Sequence, residues 1–126
     1  ILSVLAEKLG ADKIIGFDTD HWAFENSLEN IRLNSCHRIK IIQGRIEKIS
    51  SQDTFDIILA NINLNAIIED LNSYYELLPP RGILILSGFL VSDLNTLLES
   101  IEDLNITLME QNSRNKWMSV ILKKNQ

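Results

Sequence analysis

Two short segments hold the residues best suited to chemistry. The first is Gly16-Phe17-Asp18-Thr19-Asp20, where an apolar run ends in acidic residues. A carboxylate at such a point offers two acceptor oxygens to a vicinal diol, the arrangement by which nucleotide-binding α/β domains hold a ribose. An aspartate just ahead of a helix also serves as an N-cap, so the ligand role is assigned to Asp18 and the capping role to Asp20. The second is Leu59-Ala60-Asn61-Ile62-Asn63-Leu64-Asn65, an apolar run that issues into three asparagines at alternate positions. Their amides both donate and accept hydrogen bonds. Asn61 is read as the ligand-facing member, and Asn65 as part of a turn and helix cap. His21 and His37 are the only imidazoles, and nothing around either marks a general base. No Cys/His cluster has metal-ligand spacing, and the lone Cys36 has no partner for an intrachain disulfide, so it reads as an inert thiol. Trp22 and Trp117 read as core or cleft-wall aromatics, and Lys123-Lys124 as a solvated tail.

The elements that must position these residues alternate in period. Apolar runs rich in β-branched residues at 13–18, 39–42, 55–60, 82–86 and 119–122 predict strands, and 106–110 a half-buried edge strand. Helical stripes lie between them: Leu2, Leu5, Ala6 and Leu9, stopping at Gly10; Trp22, Ala23, Leu28 and Ile31, ending near Asn34; Ile67 to Leu78, closed by Pro79-Pro80; and Leu94 to Leu104, with Ser92 as N-cap. Buried strands alternating with amphipathic helices imply a doubly wound α/β fold with a mostly parallel sheet. The short polar stretch Asn112-Ser113-Arg114-Asn115 joins the last two strands as a hairpin, which makes one strand antiparallel.

The sequence has 126 residues with 12 Lys+Arg against 17 Asp+Glu, a net charge of −5, and 45% apolar residues. That suits one globular domain over 1–126 with a real core. An acidic balance weighs against a protein that grips nucleic-acid phosphates. No apolar stretch reaches the roughly 18 residues of a membrane span, and the chain reads as soluble and cytoplasmic. It opens with Ile1-Leu2-Ser3-Val4, already inside a helix without a capping residue, so the expectation is a fragment with a strand and loop upstream.

The order Ile1-Leu2-Ser3-Val4-Leu5-Ala6, Leu9-Gly10-Ala11, Gly16-Phe17-Asp18-Thr19-Asp20, Glu29-Asn30-Ile31-Arg32-Leu33-Asn34, Phe55 to Ile62, Leu86-Ser87-Gly88 and Lys116-Trp117 resembles class I S-adenosylmethionine-dependent methyltransferases. Within that superfamily it is similar to the PrmA family, which methylates amino groups of ribosomal protein L-eleven. The resemblance implies a Rossmann-like sheet with an antiparallel C-terminal hairpin, here without its first strand and glycine-rich loop. It implies S-adenosylmethionine as cofactor, with Asp18 on its ribose, Thr19 beside it, and Asn61 beside the transferred methyl. Many relatives carry an acidic residue after the glycine of the third family strand. Here Gly44 is followed by Arg45, which leaves the adenine contact to backbone around Gly44 and Arg45 or to Ile46. A second departure is Pro79-Pro80-Arg81-Gly82, where relatives often carry Lys-Pro-Gly-Gly, and the expectation is a changed turn geometry.

Transfer to an amine is an in-line displacement, so the tasks are to align a lone pair and exclude water. A lysine amine near pKa 10.4 needs about 4.6 kcal/mol to be neutral at pH 7. The Asn61 amide oxygen suits the aligning role, with desolvation lowering the amine pKa. Other readings stay open at this point. They are a methyltransferase for a glutamine amide or RNA base, a nicotinamide-dependent dehydrogenase with Asp18 on the NAD ribose, or a non-catalytic partner-binding remnant. Asn61-Ile62-Asn63-Leu64 lacks the prolines and aromatic of the first, and neither Tyr74 nor Tyr75 has a lysine four residues on, as the commonest dehydrogenase requires.

Overall fold

Each of the six apolar runs is a strand in the computed structural model, which describes residues 1–126. The chain divides into two compact units, residues 1–49 and 50–126.

The first unit runs α1 (Leu2–Lys8), β1 (Ile14–Asp18), α2 (His21–Leu33), β2 (Ile39–Gln43) and a short 3-10 turn at Ile46–Lys48. β1 and β2 pair in parallel, with Asp18 opposite Gln43. Both helices end in the same way. After α1, Gly10 N–H donates to Glu7 and Ala11 N–H to Ala6; after α2, Ser35 N–H donates to Arg32 and Cys36 N–H to Ile31. These are Schellman closures, which satisfy the last helical carbonyls and need a left-handed residue at their corner. Gly10 fills that corner at φ +103, and Ser35 does so at φ +54 despite its side chain. α1 approaches β1 where Gly16 has no side chain, since a Cβ there would lie 2.9 Å from Ser3 Oγ and 2.8 Å from Ile41 Cδ1. The Glu7 carboxylate of α1 accepts the backbone N–H of both His37 and Arg38, which ties the helix to the entry of β2.

The inward side of α2 differs from the stripe that spacing predicts. Ala23, Phe24, Ser27 and Ile31 are half-buried, while Trp22 is 74% exposed and Leu28 is also exposed. Trp22 is therefore not a core residue; its indole and the His21 ring form a T-shaped pair, with centroids 5.8 Å apart.

The second unit runs β3 (Ile57–Asn61), α3 (Leu64–Leu77), β4 (Ile83–Leu90), a 3-10 turn at Val91–Asp93, α4 (Leu94–Ser100), β5 (Ile106–Arg114) and β6 (Trp117–Lys124). Its sheet order is β3-β4-β6-β5, with β3 parallel to β4 and β6 antiparallel to both neighbours. The single antiparallel strand and the edge position of β5 agree with the sequence expectation. The hairpin turn itself is Asn115-Lys116, both at positive φ, so Asn112 to Arg114 belong to the strand. Leu84 and Leu86 of β4 face Leu122 and Val120 of β6, all fully buried, and Ile67, Leu71 and Tyr74 of α3 and Leu97 of α4 join the core.

Three local readings are corrected. Asn63, not Asn65, caps α3, its Oδ1 accepting Ala66 N–H at 3.0 Å. Ser92 lies inside the 3-10 turn, and Asp93 precedes α4, its carboxylate accepting Leu90 N–H at 3.1 Å. Lys124 is no solvated tail, because its ammonium donates to the carbonyls of Tyr75 and Leu78, each at 2.8 Å, and lies 4.1 Å from the Tyr75 ring centroid. The Pro79–Gly82 turn closes with Gly82 N–H donating to Pro79 C=O, and Arg81 sits at φ +68. Proline second and positive φ third define a type II turn, whose third position glycine takes without strain and Arg81 takes with it.

Candidate functional site

Strand C-termini carry the candidate residues in both units, the end of a parallel sheet where α/β folds bind ligands. In the first unit, β1 ends at Asp18 and β2 at Gln43, and Gly44 N–H donates to the Asp18 carbonyl at 2.8 Å. This brings Asp18, Thr19, Gly44 and Arg45 to one end of the ladder. Asp18 is exposed, and one of its oxygens accepts Asp20 N–H at 2.9 Å. The other oxygen has no hydrogen bond within the chain and is free to accept from a ligand hydroxyl. Asp20 caps α2, accepting Ala23 N–H at 3.1 Å. Thr19 is exposed between them. The Arg45 guanidinium lies 3.9 Å from Glu47, and Ile46 is buried at 3% exposure, so Ile46 contributes to the unit's core. His21 Nδ1 lies 3.5 Å from Gln43 Oε1.

In the second unit, Asn61 is the last residue of β3, paired with Ser87, and Ile62 N–H donates to the Ser87 carbonyl at 3.2 Å. An open cleft of about 600 Å³ lies over this end of the sheet. Asn61, Asn63, Ser87 and Gly88 line it together with the hairpin residues Arg114 and Trp117. The Trp117 indole is 57% exposed, which makes it a cleft wall. Hydroxyls and amides dominate the polar lining, Arg114 is its one ionised side chain, and no carboxylate enters it. No carboxylate stands in this lining to pair with an ammonium ion, and its one charged side chain is itself a cation.

No group of three or more His, Cys, Asp or Glu is placed to hold a metal ion. No helix is long and apolar enough to cross a membrane.

Residues 1–125 match the family described as ribosomal protein L11 methyltransferase (PrmA). The chain belongs to this family. A Porphyromonas gingivalis relative named ribosomal protein L11 methyltransferase is 39% identical over 120 residues, which are 95% of this chain and 41% of the relative. The chain thus spans about two-fifths of the length of that curated PrmA protein. The crystal structure of a ribosomal protein L11 methylase from Lactobacillus delbrueckii subsp. bulgaricus superposes with a TM-score of 0.92 at 20% identity, covering 99% of this chain and 64% of that one. M. jannaschii TYW2, solved in complex with AdoMet, superposes with a TM-score of 0.70 at 16% identity, covering 94% and 60%. These two likenesses establish the fold, a Rossmann-like methyltransferase sheet.

Sequence reasoning on the PrmA pattern named Asp18, Thr19, Gly44, Arg45, Ile46 and Asn61. The structure brings the first four together at the end of β1 and β2, buries Ile46, and sets Asn61 in the cleft of the second unit. Sequence reasoning assigned no site role to Ser87, Gly88, Asn112 or Arg114. Leu86-Ser87-Gly88 was visible as a motif, but only the pairing of Ser87 with Asn61 gives it a place beside the site. Asn112 and Arg114 come into the cleft because the hairpin turns at Asn115-Lys116, one residue or more beyond where polarity alone puts it.

Proposed function

We propose that this chain is the C-terminal part of the catalytic domain of an S-adenosylmethionine-dependent protein methyltransferase that modifies amino groups of ribosomal protein L11 in the cytoplasm. Membership of the PrmA family supports the reaction class, and the position of Asn61 carries the chemical reading. Its amide stands at a strand end inside a cleft without carboxylates, where it can accept a hydrogen bond from an amine and aim the lone pair. Bound S-adenosylmethionine supplies an electrophilic methyl on sulfur. Asp18 suits the cofactor's ribose, because one carboxylate oxygen is fixed by Asp20 N–H while the other is left to accept. Backbone at Gly44 and Arg45 is the candidate adenine contact. The amine proton leaves to solvent through the open side of the cleft, and Trp117 shields the acceptor from part of it. The acidic net charge of −5 favours a protein acceptor over RNA.

The test is calorimetric titration of S-adenosylhomocysteine into this chain and into a version preceded by the segment that precedes the matching residues of the Porphyromonas gingivalis relative. Binding to the extended form, weakened about tenfold or more by Asp18→Ala, is the expected result, since a charge-assisted hydrogen bond contributes roughly 1.5–3 kcal/mol. Two folded proteins that both ignore the ligand would remove the proposal.

A further inference from the structure

Gly88 holds a place in the sheet that a side chain cannot share. It sits at the irregularity in the β4–β6 register between Ser87 and Phe89, with φ +91. A Cβ on Gly88 would lie 2.7 Å from the Ile62 carbonyl oxygen, 2.9 Å from Asn61 Oδ1 and 3.0 Å from Ile62 N. Two of these three atoms are main chain, held by the Ile62 N–H bond to the Ser87 carbonyl and by the pairing of Asn61 with Ser87. The third is the tip of the Asn61 carboxamide. The side chain of Asn61 is therefore the part of this corner most free to move, and the bare Cα of Gly88 is the surface against which its oxygen rests.

We propose that Gly88 is the positioning residue for Asn61. The missing side chain at 88 leaves room for the carboxamide oxygen where a Cβ would lie 2.9 Å from it, and that contact sets the direction in which the amide meets an acceptor nitrogen. This rests on the reading of Asn61 as the aligning residue. Left-handed backbone alone does not account for glycine here. Gly10 also has positive φ, at +103, yet a Cβ on it would meet nothing within 4 Å. Gly10→Ala thus measures backbone strain without the clash.

The experiment follows the side-chain amide pair of Asn61 by 15N NMR in this chain, in Gly88→Ala and in Gly10→Ala, alongside denaturant stability of Gly88→Ala, Asn61→Ala and the double variant. Gly88→Ala is expected to shift the Asn61 pair while the core methyls of Leu84, Leu97 and Leu122 stay in place. It should cost more stability than Gly10→Ala, and the double variant should lose less than the sum of the singles. In the extended protein, kcat should fall about tenfold or more with KM for S-adenosylmethionine little changed, as misalignment of a reacting group predicts. If Gly88→Ala fails to fold and the double variant folds, the rescue itself supports the coupling. An unmoved Asn61 pair with additive stabilities, or failure of both variants to fold, overturns the proposal and leaves Gly88 a backbone residue only. The NMR and stability arms decide this even if the extended form ignores S-adenosylhomocysteine, so the two readings fail separately.

Discussion

Asp18 and Asp20 are two residues apart and of one type, yet the backbone gives them different work. Asp20 has extended φ and ψ at the head of α2 and its carboxylate accepts Ala23 N–H of the helix, whereas Asp18 ends β1 and its carboxylate accepts Asp20 N–H. The cap at Asp20 was legible in the sequence, because a capping aspartate stands immediately before the helical stripe. The asparagines were harder. The cap at Asn63 rather than Asn65 follows from α3 starting at Leu64, and periodicity does not resolve a helix start to one residue. Glu7 had no sequence signal at all, since its partners are main-chain groups 30 residues away. Burial pushes its carboxyl up, but the backbone N–H of Arg38, the Cys36 thiol and His37 more than offset this and hold it below the ordinary value of 4.5. Burial, and next the contact with Glu7, push the Cys36 thiol up. A carboxyl whose folded pKa is depressed adds stability that is complete above its unfolded pKa and is lost as pH falls through the folded one. The first unit should therefore lose urea resistance as pH drops below about 4.5, and Glu7→Gln should flatten that limb. Parallel wild-type and variant curves across this range would show that the contact carries no linkage.

At the scale of elements, strands announced themselves through β-branched runs, and their ends did not. β5 runs four polar residues past the expected 106–110, through Gln111, Asn112 and Ser113 to Arg114, because its ladder with β6 continues where hydrophobicity stops. Lys124 shows what this hides. The last strand delivers its ammonium to the C-terminal carbonyls of α3, where helix polarity favours a cation and where orphan acceptors need donors. Lys124→Met keeps the stem and removes both bonds, so it should cost about 2 kcal/mol in denaturant unfolding. A loss within the scatter of ordinary surface substitutions would mean that water serves those carbonyls equally well. Arg81 predicts the opposite sign. A non-glycine residue at φ +68 carries roughly 1 kcal/mol of strain, so Arg81→Gly should raise stability by about that amount less the added entropy of the unfolded chain. A destabilised Arg81→Gly would indicate that the arginine side chain contributes more than its backbone costs.

The two units of the molecule are unequally filled. Buried apolar residues of the first unit are Ile14, Cys36 and Ile46 alone, whereas the second holds the fully buried Ile67, Leu84, Leu86, Leu97, Val120 and Leu122 with others around them. Sequence patterning reads the order of elements correctly across both, because it registers which residues are apolar. It does not register whether a given apolar face is covered, and the α1 stripe shows the difference, with Leu5 at 53% and Leu9 at 80% exposure. Each buried aliphatic side chain contributes roughly 1.5–3 kcal/mol, so the units should open with different free energies. Hydrogen exchange measures this directly. Amides of β4 and β6, central in the four-stranded ladder and lined by Leu84, Leu86, Val120 and Leu122, should be the slowest of the chain. Those of β1 and β2, a two-stranded ladder with little core, should exchange through cheaper openings by several kcal/mol. Equal protection in the two ladders would mean that the first unit draws stability from something other than its own buried side chains. Unequal protection would place Asp18 in the unit that opens more readily and Asn61 in the one that opens least.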